Sequence, residues 1–191
     1  MMTLKRPIIL ASTSPRRQFL MKEAGYVFRI ESPTHDEKFP HHMPAEMVPR
    51  YLAEEKAKAF LGKITNEIVI TADTVVILGD RILNKPVDRA DAIRMISQLA
   101  GKTHKVITAV CLLSSDKQDL FDDTTRVTFR KLNQQEIEYY IDSCQPYDKA
   151  GSYGAQDWLG MVGIEKITGS YFTVMGMPMH KVYTHLQDFA R

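Results

Sequence analysis

The chain alternates between short β-branched runs and longer stretches with helical spacing. Residues 7–11 (PIILA) form an apolar run that predicts a buried strand. Ser14-Pro15 follows, an N-cap residue with proline at the first helical position, and 16–24 carries helical periodicity up to a stop at Gly25. Residues 26–31 alternate as a second strand, and 32–44 read as a polar loop. The longest helical pattern spans 45–61, with Pro49 in its first turns. The run at 67–78 (EIVITADTVVIL) predicts a central strand. Gly79-Asp80 then turns the chain, and 81–83 returns as a hairpin.

Further along, 88–99 is helical and stops at Gly101, while 105–113 and 120–129 read as strands. Asn133 and Glu136 form a capping box that opens a helix to residue 143. Residues 151–163 are glycine-rich and read as irregular, 164–167 as a short strand, 169–176 as a loop, and 178–191 as a terminal amphipathic helix. Strands and helices alternate first, and strands cluster near the middle. That order predicts an α/β fold with a mixed central sheet flanked by helices. The expected domain is a single one over 1–191, either one body or two small lobes sharing a core.

A chain of 191 residues, 44% hydrophobic and 25% charged, can build a sizeable core without disulfides or metal. Cys111 and Cys144 read as reduced thiols. No apolar run approaches the roughly 20 residues of a membrane span. The first residues carry too short an apolar core for a signal peptide, so a cytoplasmic protein is expected. Lys and Arg number 25 against 23 acidic residues, a net charge of +2. That balance argues against nucleic acid as the main partner, and against a basic RNA-binding surface. It says nothing against a small anionic ligand held by a few cations.

Four constellations carry candidate chemistry. Ser12-Thr13-Ser14-Pro15-Arg16-Arg17 sits between a strand and a helix, where helix-terminal N–H groups, hydroxyls and guanidiniums suit an anion. The plain alternative is a capped helix with solvated arginines. Asp73 lies inside an apolar strand with Thr74 after it, and a buried carboxylate needs a partner, a metal or a ligand. The alternative there is an aspartate capping a neighbouring helix. Lys85 stands before Pro86, and Lys56 lies on or beside the buried face of its helix between Leu52 and Phe60. Residues 148–156 end in Gln156, whose amide offers both a donor and an acceptor, as reading a base edge requires. A plain surface loop is the alternative. His35, His41 and His42 cluster with Asp36 and Glu37, but their spacing matches no zinc motif, and a solvated loop is the favoured reading.

Taken together, these segments resemble the Maf family of nucleoside triphosphate pyrophosphatases. The similarity runs through ASTSPRR at 11–17, DE at 36–37, LAEEKA at 52–57, TADTVV at 71–76 and KP at 85–86. It continues through GKTHKVITAV at 101–110, DKAGSYGAQ at 148–156 and ITGSYFTVMGMP at 167–178. The resemblance implies hydrolysis of dTTP and UTP at the α–β bond, giving a monophosphate and pyrophosphate. It implies a fold like that of the inosine triphosphate pyrophosphatases, with two lobes around a cleft. It also implies a divalent cation, Mg²⁺ or Mn²⁺, and a possible homodimer. Asp73 falls on the family's proton acceptor. Ser12, Arg16, Arg17, Glu37, Lys56 and Lys85 fall on positions contacting phosphate or metal, with Glu37 and Asp73 as the metal ligands. Arg16, Thr74 and Gln156 fall on positions that separate the dTTP/UTP subgroup from the 7-methyl-GTP subgroup. Asp157 replaces a common glycine, Met177 a leucine, and Gln145 a glutamate before Pro146. The competing expectations are a pyrophosphatase for another or modified base, and a nucleotide-binding regulator of cell division (septum formation) with little catalysis. Four cations, with Asp73 and Glu37 as hard oxygen donors, suit a triphosphate that carries about four negative charges.

Overall fold

The computed structural model describes residues 6–33 and 38–189. The predicted metal ligand Glu37, together with His35 and Asp36, lies outside the described residues. The chain divides into two compact units. The first comprises Met1–Asp73, Thr108–Asp123 and Gly176–Arg191, and the second Thr74–Ile107 and Thr124–Met175.

Among the described residues seven strands make one mixed sheet: β1 (Ile8–Leu10), β2 (Phe28–Ile30), β3 (Ile68–Leu78), β4 (Arg81–Leu83), β5 (Thr103–Leu113), β6 (Gln118–Phe129) and β7 (Ile164–Thr168). The order is β2-β1-β3-β5-β6-β7, with β4 paired to β3 off this path. β1 runs parallel to both β2 and β3, in register Ile8 with Phe28 and Ile8 with Ile68. β4 runs antiparallel to β3, and β7 antiparallel to β6. The mixed sheet expected from the element order is therefore present. β3 is buried at nearly every position, which is why its sequence reads as a continuous apolar run and not as an alternation.

In the first unit, α1 (Pro15–Glu23), α2 (Val48–Lys58) and α7 (Met179–Phe189) accompany the strands. The small side chains Ala53 and Ala57 let α2 pack against Ile9, Val69, Ala109 and Cys111. In the second unit, α3 (Arg89–Leu99) and α4 (Gln134–Cys144) bury Ile96, Leu99, Ile137 and Tyr140 against Val106, Val127 and Phe129. Fully burying one such side chain is worth about 1.5–3 kcal/mol. The capping box at Asn133 and Glu136 is formed as expected. Cys111 is buried and Cys144 half-buried, and both are free thiols. No helix among the described residues is long and apolar enough to cross a membrane.

Several boundaries differ from the sequence reading. The strand expected over 26–31 shortens to β2, because the Tyr26 amide donates to the Met21 carbonyl and belongs to the exit from α1. The helix expected over 45–61 begins with a 3-10 turn at Ala45–Met47 before α2, with Pro49 in its first turn. The irregular stretch at 151–163 contains α5 (Trp158–Gly163), and the expected loop at 169–176 contains α6 (Tyr171–Met175). Gly160 in α5 serves close packing. A Cβ on Gly160 would lie 2.0 Å from the Ala155 carbonyl oxygen, so only glycine lets α5 approach that backbone.

Candidate functional site

In the first unit the site grows out of β1, α1, α2 and the middle of β3. Thr71 and Asp73 share one face of β3, since side chains alternate along a strand. Ala53 and Lys56 lie one turn apart on α2. The Thr71 hydroxyl donates to the Ala53 carbonyl at 2.6 Å, and Lys56 Nζ donates to Asp73 Oδ1 at 2.6 Å. Two bonds of matched spacing thus fix the register of α2 on β3. The Asp73 and Lys56 side chains are only 10% and 11% exposed. The carboxylate that the apolar strand made costly is thereby paired with a buried ammonium, and it does not cap a helix.

The loop from β1 into α1 is organised by Arg17. Its Nε donates to the Gly176 carbonyl at 2.9 Å, and its Nη1 donates to the Ala72 carbonyl at 2.8 Å and to Ser12 Oγ at 3.4 Å. Ser12 is buried, and its hydroxyl also accepts from the Ser14 amide at 3.2 Å. The Ala72 carbonyl immediately precedes Asp73, so Arg17 ties the 12–17 loop to the strand carrying the carboxylate. Ser14 occupies the N-cap position of α1, but its side chain makes no capping bond. The capping role expected of it is corrected accordingly: the turn is held instead by its amide on Ser12 Oγ. Arg16 stands half-buried in the first turn of α1. Ser12, Arg17, Lys56 and Asp73 are therefore gathered in one unit by named bonds, with Arg16 adjacent in the chain.

The other predicted residues belong to the second unit. Thr74 is half-buried on β3. Lys85 is exposed just after β4, and it borders an open cavity of about 470 Å³ with Arg81 and Arg94. The Gly151 amide donates to the Asn84 carbonyl at 3.1 Å, fastening the loop of Gln156 to the segment of Lys85. Gly151 has φ +69°, and a Cβ there would come within 2.9 Å of Val76, two residues beyond Thr74. Gln156 is exposed. Behind this loop His104 Nε2 is hydrogen-bonded to the Tyr153 hydroxyl at 2.7 Å. Burial pushes the His104 imidazole down to about 4 and raises the Tyr153 phenol well above its ordinary value.

Sequence reasoning missed the backbone acceptors of Arg17 and the Tyr140 hydroxyl, which accepts from the Gly154 amide at 3.0 Å and donates to Asp157 Oδ2 at 2.8 Å on either side of Gln156. Carbonyl acceptors leave no trace in side-chain pattern. The one available signal for the second was the acidic residue at 157. Among the described residues no group of three or more His, Cys, Asp or Glu side chains could hold a metal. His41 and His42 are exposed, as a solvated loop requires. Asp73 alone still has the chemistry of a Mg²⁺ or Mn²⁺ donor, because such ions are bound through one or two carboxylates together with substrate phosphates.

The family model described as "Maf-like protein" matches residues 7–189. The chain is 48% identical over 183 residues to a dTTP/UTP pyrophosphatase of Bacteroides fragilis, covering 95% of each chain. It is 44% identical over 182 residues to a dTTP/UTP pyrophosphatase of Christiangramia forsetii, covering 95% of this chain and 93% of the relative. A dTTP/UTP pyrophosphatase of Porphyromonas gingivalis is 44% identical over 191 residues, covering 97% and 95%. Among solved structures, the Ham1 protein of Staphylococcus aureus is similar with a TM-score of 0.45 and 15% identity, covering 65% of this chain and 72% of that one.

Proposed function

The chain belongs to the Maf-like protein family, and we propose that it is a nucleoside triphosphate pyrophosphatase that hydrolyses dTTP and UTP to the monophosphate and pyrophosphate. The observation that carries this reading is the buried Lys56–Asp73 pair, bonded into the same unit as the Ser12–Arg17 loop. Relatives of matching length bear the name dTTP/UTP pyrophosphatase, which supports the choice of substrate.

Water attacks the α-phosphorus, and the bond to the bridging oxygen of the β-phosphate breaks. Asp73 accepts the proton of that water at Oδ2, while Lys56 holds Oδ1 and fixes the carboxylate plane. Arg16 and Lys85 supply positive charge toward the triphosphate, and the Ser12 hydroxyl contributes polar contact. Arg17 positions the loop through the Ala72 and Gly176 carbonyls. No covalent intermediate on the protein is needed; orientation and charge stabilisation do the work. Thr74 and Gln156 are assigned the choice of base. A divalent cation, Mg²⁺ or Mn²⁺, belongs to the proposal, with Asp73 as one ligand and Glu37 as the second. When bound, it supplies neutralisation of phosphate charge. The proposal also makes the protein a cytoplasmic homodimer that acts on free nucleotides and not on nucleic acid.

The test is product analysis of dTTP turnover in the presence of Mg²⁺ or Mn²⁺. Thymidine monophosphate and pyrophosphate in equal amounts are expected. Orthophosphate as the first product would move the cut to the γ-phosphate and defeat the reading.

A further inference from the structure

β2 ends the strand order, so one of its edges has no strand beside it among the described residues. Which backbone groups face that edge is fixed from the other side. The Glu31 amide donates to the Leu10 carbonyl at 3.1 Å. In a parallel ladder alternate residues of a strand bond to the same neighbour, so Arg29 and Glu31 turn their N–H and C=O groups toward β1. Phe28 and Ile30 turn theirs outward. Main-chain groups left in this way are a template for another strand. The side chains leave access to it, since Ile30 is 50% exposed and Val27, just before the strand, 91%.

The charges along β2 say which strand fits. Let a second copy run antiparallel to the first about a twofold axis through Ile30. Ile30 then meets Ile30 of the second copy as a hydrogen-bonded pair, each amide donating to the other's carbonyl, and the outward parity of Ile30 is the one this pairing needs. Arg29 falls opposite Glu31 of the second copy, and Glu31 opposite its Arg29. Residues opposite each other share a face of the sheet, so both contacts join unlike charges. Arg29 Nε already donates to Glu31 Oε1 at 2.9 Å within one chain, and its Nη2 donates to Glu67 Oε1 at 3.2 Å. The guanidinium is therefore held on that face before any second copy arrives. Moving the axis by one residue would set Arg29 on Arg29, or Glu31 on Glu31. The charge pattern thus rejects both neighbouring registers and keeps the one centred on Ile30.

We propose that the free edge of β2 is the self-association surface of this protein, where two copies pair antiparallel about Ile30 and continue one sheet across the axis. Such a contact uses the same edge on both copies, so it closes at two and does not propagate. It gives an interface to the homodimer proposed above, and rests on that homodimer but not on the choice of nucleotide.

Sedimentation equilibrium of the full chain measures the dimer dissociation constant for the wild type, Ile30→Pro, Arg29→Glu and Glu31→Arg. Proline removes an amide that points outward and none that bonds to β1, so the sheet of the monomer is kept. The dissociation constant is expected to rise at least about tenfold in Ile30→Pro, because two main-chain bonds are lost across the axis. If Ile30→Pro does not fold by circular dichroism, the charge variants decide. Arg29→Glu and Glu31→Arg are each expected to be monomeric alone, since like charges then face each other across the axis. An equimolar mixture of the two is expected to restore the dimer, because the copies complement one another again. A merely destabilised fold would not be repaired by mixing. A wild-type dimer that survives all three changes overturns this interface and leaves the homodimer standing. A wild type that stays monomeric up to its solubility limit overturns both, and leaves the pyrophosphatase reading to its own product analysis.

Discussion

Lys56 Nζ stands 2.6 Å from Asp73 Oδ1, with both side chains nearly closed to solvent. A buried pair of this kind is asymmetric in its energetics. Its net contribution is small, because both charges were taken out of water, but removing one partner strands the other. Lys56→Met is therefore expected to destabilise the protein by about 3–5 kcal/mol. Adding Asp73→Asn to it should recover at least half of that loss, although neither single change is silent. Chemical denaturation of the two single variants and the double variant closes the cycle. Additive losses would mean that the two groups do not depend on one another.

Asp73 also carries the chemical step. Asp73→Asn keeps the shape of the side chain and an acceptor for Lys56, but removes the proton acceptor. A loss of about 10² or more in kcat is expected, with the secondary structure unchanged. Steady-state kinetics at saturating cation, alongside circular dichroism, separates the chemical effect from a folding one. Near-normal turnover would assign the base elsewhere, with Glu37 next to be examined.

Much of this centre is legible in the sequence. An aspartate amid Ile68, Val69, Ile70, Val75 and Val76 advertises an unusual burial, and Lys56 betrays itself by helical spacing from Leu52 and Phe60. What could not be read is where the chain uses backbone in place of side chains. Arg17 is committed to the carbonyls of Ala72 and Gly176, residues 55 and 159 positions away, and a carbonyl looks the same in every residue. Ser14-Pro15 has the composition of a capped helix start, yet the hydroxyl of Ser12 does the holding. Glycine misled in the opposite sense. In 151–163 it signals a turn at Gly151, where φ is positive, but close helix packing at Gly160. Local pattern cannot separate the two, because the partner that makes glycine necessary at Gly160 is the carbonyl of Ala155 in the preceding loop.

Gly160→Ala tests that packing directly. The new methyl would meet the Ala155 carbonyl oxygen at 2.0 Å and its carbon at 2.4 Å, and backbone cannot swing aside as a flexible side chain would. A destabilisation of about 1–3 kcal/mol or more is expected, the range of overpacked cores. Because Ala155 precedes Gln156, the turn must shift as well, so the dTTP-to-CTP preference should weaken together with the melting temperature. A variant as stable as the wild type would show that α5 does not press on this loop.

His104 makes stability depend on pH in a definite window. Burial holds its folded-state value at about 4, whereas an unfolded histidine titrates near ~6.5. Between those values the unfolded chain binds a proton that the folded chain refuses. Stability contributed by the neutral, buried ring is thus fully present above pH ~6.5 and is lost as pH falls toward about 4. The span corresponds to about 3 kcal/mol at most. Glu67, held at about 2 by backbone amides of its own turn and by Arg29, keeps its own contribution above the unfolded glutamate value of ~4.3 and loses it only as pH falls below that, so measurements at pH 5 and above read chiefly the histidine. In the folded protein the ring is edge-on to both Phe129 and Tyr153 and bonded to the Tyr153 hydroxyl, so a proton there has no acidic partner in that shell. His104→Gln keeps a polar end for Tyr153 but does not titrate. Urea denaturation at pH 7, 6 and 5 should show the wild type losing stability with each step, and His104→Gln losing much less. Equal slopes for the two proteins would mean that the acid sensitivity arises from other groups.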